Sequence, residues 1–541
     1  MQLKSQLLGA AVLAVLAAGP ASAVNQHAAA RAQALLDGPA AAMAQRAGDD
    51  RFVVRDTVTG PTGIEHVRMD RSFHGLPVLG GDLIVHSRNG KALGVSQHLK
   101  TTRRPDLRPT FSAARAIVEA GARFGSGFDG TPGSRLVLWA GNGVPVLAHE
   151  VRFTGTKADQ TPTDMRYIVD AHDGHVLAQW DEIHTARAGK GKPGGGGSGG
   201  GSTSCTTAAV GTGASLLVGD VAIDTVGCSA SGYQMVDSTR GGGQTTNMNR
   251  KTSGSGTLFT DADNHWGDGS LGNAATVGVD AHYGVSVTWD YYKNVHGRNG
   301  IANDGRGALS RVHYGRNYVN AFWNDSCFCM TFGDGDNGVN YNPLVALDVA
   351  GHEMSHGVTS HTADLNYSGE SGGLNEATSD IFGAMVEFYA NNPNDPGDYL
   401  IGEKVYAKNP GGTRALRYMF KPSLDGGSPD CYSASIGNLD VHYSSGVANH
   451  FFYLLAEGAA VPAGFNLTPG ALVCNGNTAL AGVGRDAAQK IWYLALRTRM
   501  TSTTNYAGAR TATLAAAAEL YGSGSREANA VAAAWSAVGV N

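Results

Sequence analysis

A tract that cannot enter a protein core divides this chain. Residues 188–204 run from Ala188 through two lysines into an almost unbroken series of glycine and serine. Such a sequence has no large apolar side chain to bury, so it forms a flexible and exposed linker. The 541 residues are also too many for one compact core. We therefore predict separately folded parts on the two sides of this linker.

The first residues have the pattern of a secretory signal peptide. Lys4 supplies a positive start, residues 7–18 form an apolar run, and Ala21-Ser22-Ala23 fits a small-residue cleavage site. Gly19-Pro20 ends the apolar run before it reaches the ~20 residues that a membrane span needs. We predict a signal peptide over residues 1–23, a secreted extracellular protein and no stable membrane association.

The charge of the chain argues against a nucleic-acid partner. The formal net charge is -5, and the sequence has no basic stripe and no long acidic run. A surface that binds DNA or RNA needs clustered lysine and arginine to attract phosphate. We therefore predict no nucleic-acid partner.

Six cysteines are compatible with disulfide bonds, which export permits. We expect Cys205 to pair with Cys228 and Cys431 with Cys474, because each pair closes a loop of moderate length, although sequence does not fix the connectivity. Cys327 and Cys329 are too close for a redox or zinc CxxC motif. They form either a strained disulfide or two free thiols.

The part before the linker has the pattern of an independently folded α+β prosegment. It contains alternating apolar segments and an Asp-Gly turn signal at Asp173-Gly174. We assign it to residues 24–187, in two modules of about 24–100 and 101–187. We expect residues 188–204 to contain the maturation region, because proteases cut exposed tracts of this kind.

The part after the linker changes its pattern near residue 344. Residues 205–343 are rich in glycine, serine, threonine and aromatic residues in short runs, which favours strands and turns. Residues 344–541 carry alanine, leucine and aromatic residues at helical spacing. We predict a β-rich N-terminal lobe and a helical C-terminal lobe, with a functional site in the cleft between them.

The motif His352-Glu353-Met354-Ser355-His356 points to a metal centre. It places two imidazoles at positions i and i+4, on one face of a helix, as two ligands of one zinc ion require. Glu353 lies beside them as a candidate general base.

A second helical pattern supplies the remaining groups. Glu376 follows His356 by twenty residues and can be the third ligand, and Asp380 lies one turn further on. Asp380 can then accept the free N–H of a ligand histidine, as Asn375 beside Glu376 can. Two histidines and one carboxylate leave a coordination position open for water, which is typical of a catalytic zinc site. We predict hydrolytic chemistry that uses a metal-activated water.

The sequence resembles the thermolysin-type neutral metalloproteases over essentially all of residues 205–541. Besides the two helical motifs, the segments that resemble the family pattern are Val279-Asp280-Ala281-His282-Tyr283, Asp290-Tyr291-Tyr292-Lys293-Asn294-Val295-His296, Asn320-Ala321-Phe322-Trp323, Gly333-Asp334-Gly335-Asp336, Gly484-Arg485-Asp486 and Ala537-Val538-Gly539-Val540. Residues 439–442, together with the cysteine pairs, are most similar to the vibriolysin and pseudolysin branch.

The resemblance extends to the prosegment. His66-Val67-Arg68 and residues 75–83 are similar to the first propeptide module of the family, and residues 167–170 with Gly174 are similar to the second. It implies a two-lobed α+β zinc endopeptidase, made as an inactive precursor and active on proteins and peptides as a monomer. It also implies that the propeptide is both inhibitor and folding aid.

The resemblance also implies roles for individual residues. Tyr367 and His442 match the donors to the carbonyl oxygen of the substrate, and Asp440 matches the acid that holds the histidine in the pseudolysin branch. The thermolysin pattern has its acid at the position of Gly437, so Asp440 is carried over from the closer branch alone. The positions that match the substrate-binding groups are Arg417 for a substrate carbonyl, Asn320 and Ala321 for the substrate backbone, and Val349, Ile401 and Leu416 for a bulky apolar side chain after the cut.

Calcium is the second cofactor that the resemblance implies. The matching acids are Asp348, Glu387, Asp398 and Glu403, and clustered oxygen ligands suit this ion. An insertion near residue 396 leaves Asp395 and Asp398 in competition for one role. Asp261 and Asp263 form a weaker candidate for a second site.

Two alternatives are open from the sequence. A zinc aminopeptidase shares the HExxH motif and the distant glutamate, but its amine-binding motif belongs upstream on a strand, whereas Gly383-Ala384-Met385 follows Glu376 within a helix. An exported binding or adhesion protein that has lost activity is the other. The presence of Glu353, Tyr367 and His442 argues against it, because an inactive site has no need of all three.

Overall fold

The computed structural model describes residues 20–185, 205–229 and 231–541. Residues 1–19 of the predicted signal peptide and the linker lie outside these ranges. Within the ranges, no helix has both the length and the apolar character to cross a membrane.

The prosegment is built around one nine-stranded sheet. Its first helix, Pro20–Leu36 (α1), packs on the sheet through small apolar side chains such as Ala28 and Ala32. The strands follow the order β5-β4-β2-β3-β6-β7-β8-β9, with β1 paired to β2. The elements are β1 (Asp50–Thr59), β2 (Glu65–Phe73), β3 (Leu76–Leu79), β4 (Leu83–Arg88), β5 (Lys91–Gln97), α2 (Ala113–Phe124), β6 (Phe128–Trp139), β7 (Val146–Thr156), β8 (Pro162–Asp170) and β9 (Val176–Asp181).

The two parts of the prosegment are joined through this sheet. Strand β3 pairs with β6 in parallel, with Val78 opposite Leu138 and Leu79 opposite Trp139. The other pairs along the sheet are antiparallel. Strands β2, β4 and β7 each contain four or five consecutive buried residues, so both faces of the sheet are covered there. A short strand, β10 (His184–Thr185), leaves this unit and joins the next one.

The N-terminal lobe after the linker consists of two sheets and one long helix. The elements are β11 (Cys205–Ala214), β12 (Asp220–Cys228), β13 (Tyr233–Gln234), β14 (Val236–Asp237), β15 (Gly243–Asn247), β16 (Thr257–Leu258), β17 (Thr260–Asp261), β18 (His265–Gly267), α3 (Ala274–His296), β19 (Leu309–Tyr314), β20 (Ala321–Asn324) and β21 (Cys329–Gly333). One sheet has the order β17-β13-β12-β11-β18, and the other has the order β10-β20-β21-β19-β15-β14, with β16 on β15. The prosegment strand β10 therefore lies at the edge of the lobe's own sheet.

The C-terminal lobe is helical, as predicted. Its elements are α4 (Leu347–Ser360), α5 (Gly369–Ala390), β22 (Leu400–Ile401), β23 (Arg417–Tyr418), α6 (Val441–Ser444), α7 (Gly446–Glu457), α8 (Arg485–Thr498), α9 (Tyr506–Tyr521) and α10 (Arg526–Ala537). Large aromatic side chains fill its core, and Phe451 stacks on Trp535 with ring centroids 3.8 Å apart.

All six cysteines are paired in the structure. The bonds are Cys205–Cys228, Cys327–Cys329 and Cys431–Cys474. The two pairings expected from loop length are present. Of the two alternatives for Cys327 and Cys329, the structure shows the disulfide.

Candidate metal centre

Two buried helices bring the predicted metal ligands together. His352 and His356 lie on α4, and Glu376 lies on α5; all three side chains are at most 1% exposed. The helices approach closely because Gly383 has no side chain. A Cβ at that position would lie 2.6 Å from the carbonyl oxygen of Asp348. Close packing at a glycine therefore sets the distance between the two motifs.

The three side chains converge on one point. The Nε2 atoms of His352 and His356 are 3.0 Å apart. The Glu376 carboxylate lies 3.6 Å from the first and 3.3 Å from the second. Ligands about 2.0–2.2 Å from one zinc ion stand about this far from each other. The donor set of two imidazoles and one carboxylate therefore fits zinc, and the three residues form a cluster that could hold a metal ion.

Hydrogen bonds orient both imidazoles toward that point. His352 Nδ1 lies 2.8 Å from Asp380, and His356 Nδ1 lies 2.8 Å from the side-chain oxygen of Asn375. These bonds leave the two Nε2 atoms to face inward. Asp380 and Asn375 therefore fix the orientation of the two rings, and their role beside a bound metal stays a prediction.

Asp380 is the centre of a larger network. Arg417 binds its carboxylate through Nε and Nη2, both at 2.7 Å, and Asn449 on α7 donates to the same group at 2.7 Å. Burial by itself would raise the pKa of Asp380, but Arg417 and His352 outweigh burial and lower it. Asp380 is therefore an anion that anchors three helices and the strand β23. Sequence reasoning missed Asn449, since it lies 69 positions further along the chain.

Glu353 is fully buried on α4, one residue after the first metal-ligand candidate. Tyr367 and His442 stand on another side of the cluster. The Tyr367 hydroxyl donates to Glu376 and lies 3.3 Å from His442 Nε2. His442 Nδ1 lies 2.6 Å from Asp440. Burial would lower the pKa of His442, but Glu376 and Asp440 raise it above its ordinary value.

The end of the prosegment lies against the same cluster. The ring of His184 stacks on Tyr367, with centroids 4.4 Å apart, and is 4.8 Å from the ring of His356. The carbonyl oxygen of Thr185 accepts a hydrogen bond from His442 Nε2 at 2.5 Å. Sequence reasoning did not identify these two residues, because nothing in the local pattern indicates that β10 reaches the site.

The predicted substrate-binding residues lie on elements around the cluster. Asn320 is buried just before β20, and Ala321 begins that strand, on which β10 lies. Ile401 and Leu416 are joined by a backbone hydrogen bond of 2.8 Å, and Val349 is buried in the same apolar core.

Three of the four predicted calcium ligands form a second cluster. Carboxylate oxygens of Asp348, Glu387 and Glu403 lie within 4.8 Å of one another. Burial raises the pKa of Asp348 to about 7, and it raises the pKa values of Asp395 and Asp398 to about 6. Repulsion between the acids adds to this effect. So many acids in one buried region are unfavourable without a cation, and the charges of both competing aspartates act on Asp348.

Comparisons with known proteins match three parts of the chain. Residues 210–360 match the model described as Thermolysin metallopeptidase, catalytic domain, and residues 363–540 match Thermolysin metallopeptidase, alpha-helical domain. Residues 50–99 match the Fungalysin/Thermolysin Propeptide Motif.

Full-length relatives agree with these matches. The chain is 48% identical over 497 residues to Transglutaminase-activating metalloprotease of Streptomyces mobaraensis, covering 91% of this chain but 61% of that protein. It is 38% identical over 505 residues to Thermolysin of Alicyclobacillus acidocaldarius subsp. acidocaldarius, covering 89% of this chain and 84% of that protein. A solved structure, Precursor of Protealysin, Metalloproteinase from Serratia proteamaculans, is 29% identical with a TM-score of 0.43, covering 55% of this chain and 87% of that one.

The two-lobed fold and the His-His-Glu cluster beside Glu353 define the class of metallopeptidases with an HExxH helix. More specifically, the chain belongs to the thermolysin metallopeptidase family and carries that family's propeptide motif. This confirms the resemblance at the level of the family. The placement in the vibriolysin and pseudolysin branch stays a prediction.

Proposed function

We propose that this chain is the precursor of a secreted zinc endopeptidase whose active site is the cluster on α4 and α5. The observation that carries the proposal is the convergence of His352, His356 and Glu376, buried, with Glu353 adjacent. A bound zinc ion would supply positive charge that acidifies a water molecule and polarises a carbonyl group. The three residues would hold it, and Asp380 and Asn375 would fix the direction of the two imidazoles.

The remaining side chains would transfer the proton and stabilise the developing negative charge. Glu353 would take a proton from the attacking water and pass it to the leaving amine. His442 Nε2–H and the Tyr367 hydroxyl would donate to the carbonyl oxygen as its negative charge grows. Asp440 supports this role, because Glu376 and the Asp440 carboxylate beside Nδ1 together raise the pKa of the imidazole. Arg417 would donate a hydrogen bond to a substrate carbonyl while its Nε and Nη2 atoms stay bound to Asp380.

Substrate binding follows from the elements around the cluster. We assign the substrate backbone to the edge formed by Asn320 and Ala321. The apolar wall of Val349, Ile401 and Leu416 would accept a bulky apolar side chain after the cut. The Streptomyces relative is named as a metalloprotease that activates a transglutaminase. A protein substrate of this kind is compatible with the same backbone edge, which β10 occupies in the precursor.

The acidic cluster is proposed as a calcium site. Asp395 oxygens and single oxygens of Glu387 and Glu403 are buried without a hydrogen-bond partner, although Lys404 approaches Asp395 at 3.5 Å. Calcium takes six to eight oxygen ligands and would neutralise these acids. We include both Asp395 and Asp398, together with Asp348.

The prosegment would act as inhibitor and folding aid, and residues 184–185 block the cleft as a substrate strand would. Arg68 offers a folding contact, because its Nη2 donates to the carbonyls of Met500 and Arg497, at 2.8 and 3.1 Å, at the end of α8. Main-chain carbonyls at a helix end lack partners within the helix. The prosegment would thereby stabilise α8 before the mature core is complete. Residues 188–204 would link it to a monomeric secreted enzyme.

The decisive test is hydrolysis by the matured protein of casein and of a peptide blocked at both ends. We expect cleavage of the blocked peptide, loss of cleavage with a zinc chelator, and a loss of at least ~1000-fold in Glu353→Gln. Glu527→Gln, a charge-matched change in the first turn of α10, should keep full activity.

Two outcomes would overturn the proposal. Cleavage restricted to peptides with a free N-terminus would favour an aminopeptidase. Zinc binding without hydrolysis, after confirmed removal of the prosegment, would favour an inactive binding protein.

A further inference from the structure

A cavity of about 410 Å³ lies in the N-terminal lobe, apart from the metal centre. It opens where β15, β19 and β21 end; these three neighbouring strands run parallel, and α3 covers the sheet beside them. Ligands of parallel sheets covered by helices bind at the carboxyl ends of the strands. We call this space the strand-end cavity, and the lining residues that define its chemistry are Arg250, Val277, His313, Arg316, Asp334 and Pro343.

The strand-end cavity and the proposed substrate cleft lie on opposite faces of the same strands. Successive side chains of a strand point to opposite faces. Met248 and Tyr314 belong to the apolar cluster that contains Ile183 of the prosegment, whereas their neighbours Asn247 and His313 line the cavity. All the lining residues belong to the part of the chain after the linker. The cavity is therefore a site separate from the cleft.

Two arginines of the cavity have charges that the fold leaves uncompensated. Among the described residues, neither the Arg250 nor the Arg316 guanidinium has a hydrogen bond or an ion pair, and both residues are exposed. The backbone holds them on adjacent segments. The Arg250 N–H donates to the carbonyl of His313 at 2.8 Å, and the Gly315 N–H donates to that of Lys251 at 3.2 Å. Gln160 of the prosegment binds the Arg316 backbone through its N–H and C=O, both at 2.9 Å, and not the guanidinium.

His313 neutralises the carboxylate of the cavity. Its Nδ1 lies 2.7 Å from Asp334, and its Nε2 lies 2.9 Å from the carbonyl oxygen of Ala274. Both nitrogens face acceptors, so an imidazolium ring satisfies both contacts. Burial lowers the pKa of His313, but Asp334 and the Ala274 carbonyl outweigh burial and raise it. Asp334 is the one acid among the described lining residues, so the two arginines leave the cavity with a positive charge.

The backbone around the cavity adopts a conformation that most residues avoid. Arg250 and His313 have φ angles of +62° and +57°, and Asn249 and Asn337 have φ angles of +49° and +60°. Asparagine tolerates this left-handed region, but the Cβ atom of arginine or histidine makes it costly. Strained residues of this kind cluster at ligand-binding sites, where the surrounding structure maintains them. Two of the positive groups of the cavity are thus held in place at a conformational cost.

The floor of the cavity is apolar. Val277 is 2% exposed, and Pro343 is buried. A ligand that fits this lining has negative groups for the arginines and a short apolar segment between them. The volume is also in the range of small-molecule sites, about 300–1,000 Å³.

We propose that the strand-end cavity binds a small dicarboxylate, with one carboxylate on Arg250, the other on Arg316, and the methylene groups between them against Val277 and Pro343. Guanidinium groups bind carboxylates through paired N–H donors, which a lysine could not supply in the same geometry. The ligand would join the ends of β15 and β19 and stabilise the folded N-terminal lobe. This inference is independent of the proposed peptidase activity.

The test is calorimetric titration of the full-length chain with glutarate at constant ionic strength. The chain carries Glu353→Gln, so that proteolysis does not alter it during the measurement. We expect a Kd at or below about 1 mM and a rise of the thermal midpoint with glutarate concentration. Arg250→Gln and Arg316→Gln should each weaken binding by at least ~10-fold. Lys293→Gln, which removes an exposed positive charge from α3 in the same lobe, should bind as tightly as the parent chain.

The thermal midpoint without ligand shows whether each variant is folded. It should equal that of the parent chain, because the two guanidinium groups make no hydrogen bonds within the described residues. Equal affinity for glutarate in the parent chain and both arginine variants would refute the site. Acetate or phosphate binding as tightly as glutarate would refute the dicarboxylate and show a general attraction of anions. A blocked peptide with two adjacent glutamates that binds at least ~10-fold more tightly than glutarate would overturn the assignment to a small acid and favour an acidic protein segment.

Discussion

A buried pair of histidines predicts that acid weakens the interface between the prosegment and the helical lobe. His66 on β2 and His86 on β4 are cross-strand neighbours, and their Nδ1 atoms are 2.9 Å apart. His66 Nε2 lies 3.1 Å from Glu519 on α9, and His86 Nε2 lies 2.8 Å from Ser96. When both rings are neutral, every hydrogen bond in this series is satisfied if all the groups donate in the same direction. Ser96 donates to His86, His86 to His66, and His66 to Glu519.

Protonation of both rings is incompatible with this geometry. Two N–H groups would then face each other across 2.9 Å. Burial lowers the pKa of both histidines, most strongly that of His86. The positive charge of Arg499 also lowers the pKa of both rings, whereas Glu519 raises the pKa of His66. The remaining charged neighbours are Arg497 near His66 and Arg68 near His86.

The sign and size of the effect follow from proton uptake. After release, the two histidines have an ordinary pKa near 6.5 and bind protons that the buried pair excludes. The interface therefore has its full stability above pH 6.5 and loses it as the pH falls below that value. Excluding one proton at pH 5.0 costs about 2 kcal/mol of binding free energy. The dissociation constant of the complex is therefore about 30-fold higher at pH 5.0 than at pH 8. The lowered pKa of Glu519 adds a loss in the same direction, but only below about pH 4.5.

The assay is size-exclusion chromatography of the processed but undissociated complex at pH 8.0, 6.5 and 5.0, over a dilution series. Wild type should dissociate at about 30-fold higher concentration at pH 5.0 than at pH 8.0. The double variant His66→Gln/His86→Gln should lose most of this dependence, and His175→Gln, an exposed change in the same prosegment, should keep it. An equally steep dependence in the double variant would refute the reasoning.

Three further predictions concern the metal centres and the packing. Asp380→Asn should weaken zinc binding by about 10–100-fold in a chelator competition, because the imidazole of His352 loses its anionic acceptor; an unchanged affinity would contradict the network. Calcium removal by a calcium-selective chelator should lower the thermal midpoint of the zinc-loaded enzyme, and Asp348→Asn should reduce that shift; an equal shift in the variant would exclude Asp348 as a ligand. Gly383→Ala should destabilise the protein by about 1–3 kcal/mol in urea unfolding, because its Cβ meets the Asp348 carbonyl; a neutral result would show that α4 and α5 can separate at no cost.

The metal-ligand candidates could be read from the sequence because their geometry is largely local. His352 and His356 are one helical turn apart, and so are Glu376 and Asp380, so each pair faces one way whatever surrounds it. The sequence also predicted the order of a β-rich and a helical lobe. These features depend on spacing within a single element, which a periodic pattern reports directly.

The groups that only the fold brings together could not be read in this way. Asn449 reaches Asp380 from α7, and Glu519 reaches His66 across 453 positions of sequence. Their local sequences are those of ordinary helix residues. The competition between Asp395 and Asp398 had the same origin, since the insertion changed the spacing, and only the folded loop shows that both acids lie near enough to Asp348 to raise its pKa.

Cutting the chain within the predicted maturation region, residues 188–204, would not by itself free the active site. The prosegment would still be held by Gln160 on the N-terminal lobe, by Arg68 at the end of α8, and by Asp82, whose carboxylate accepts two hydrogen bonds from Ser502. None of these contacts depends on the peptide bond that is broken. The Thr185 carbonyl would also stay beside His442. Activity should therefore appear later than the new N-terminus, and the delay should shorten at low pH, because the His66–His86 contact is the part of the interface that acid weakens.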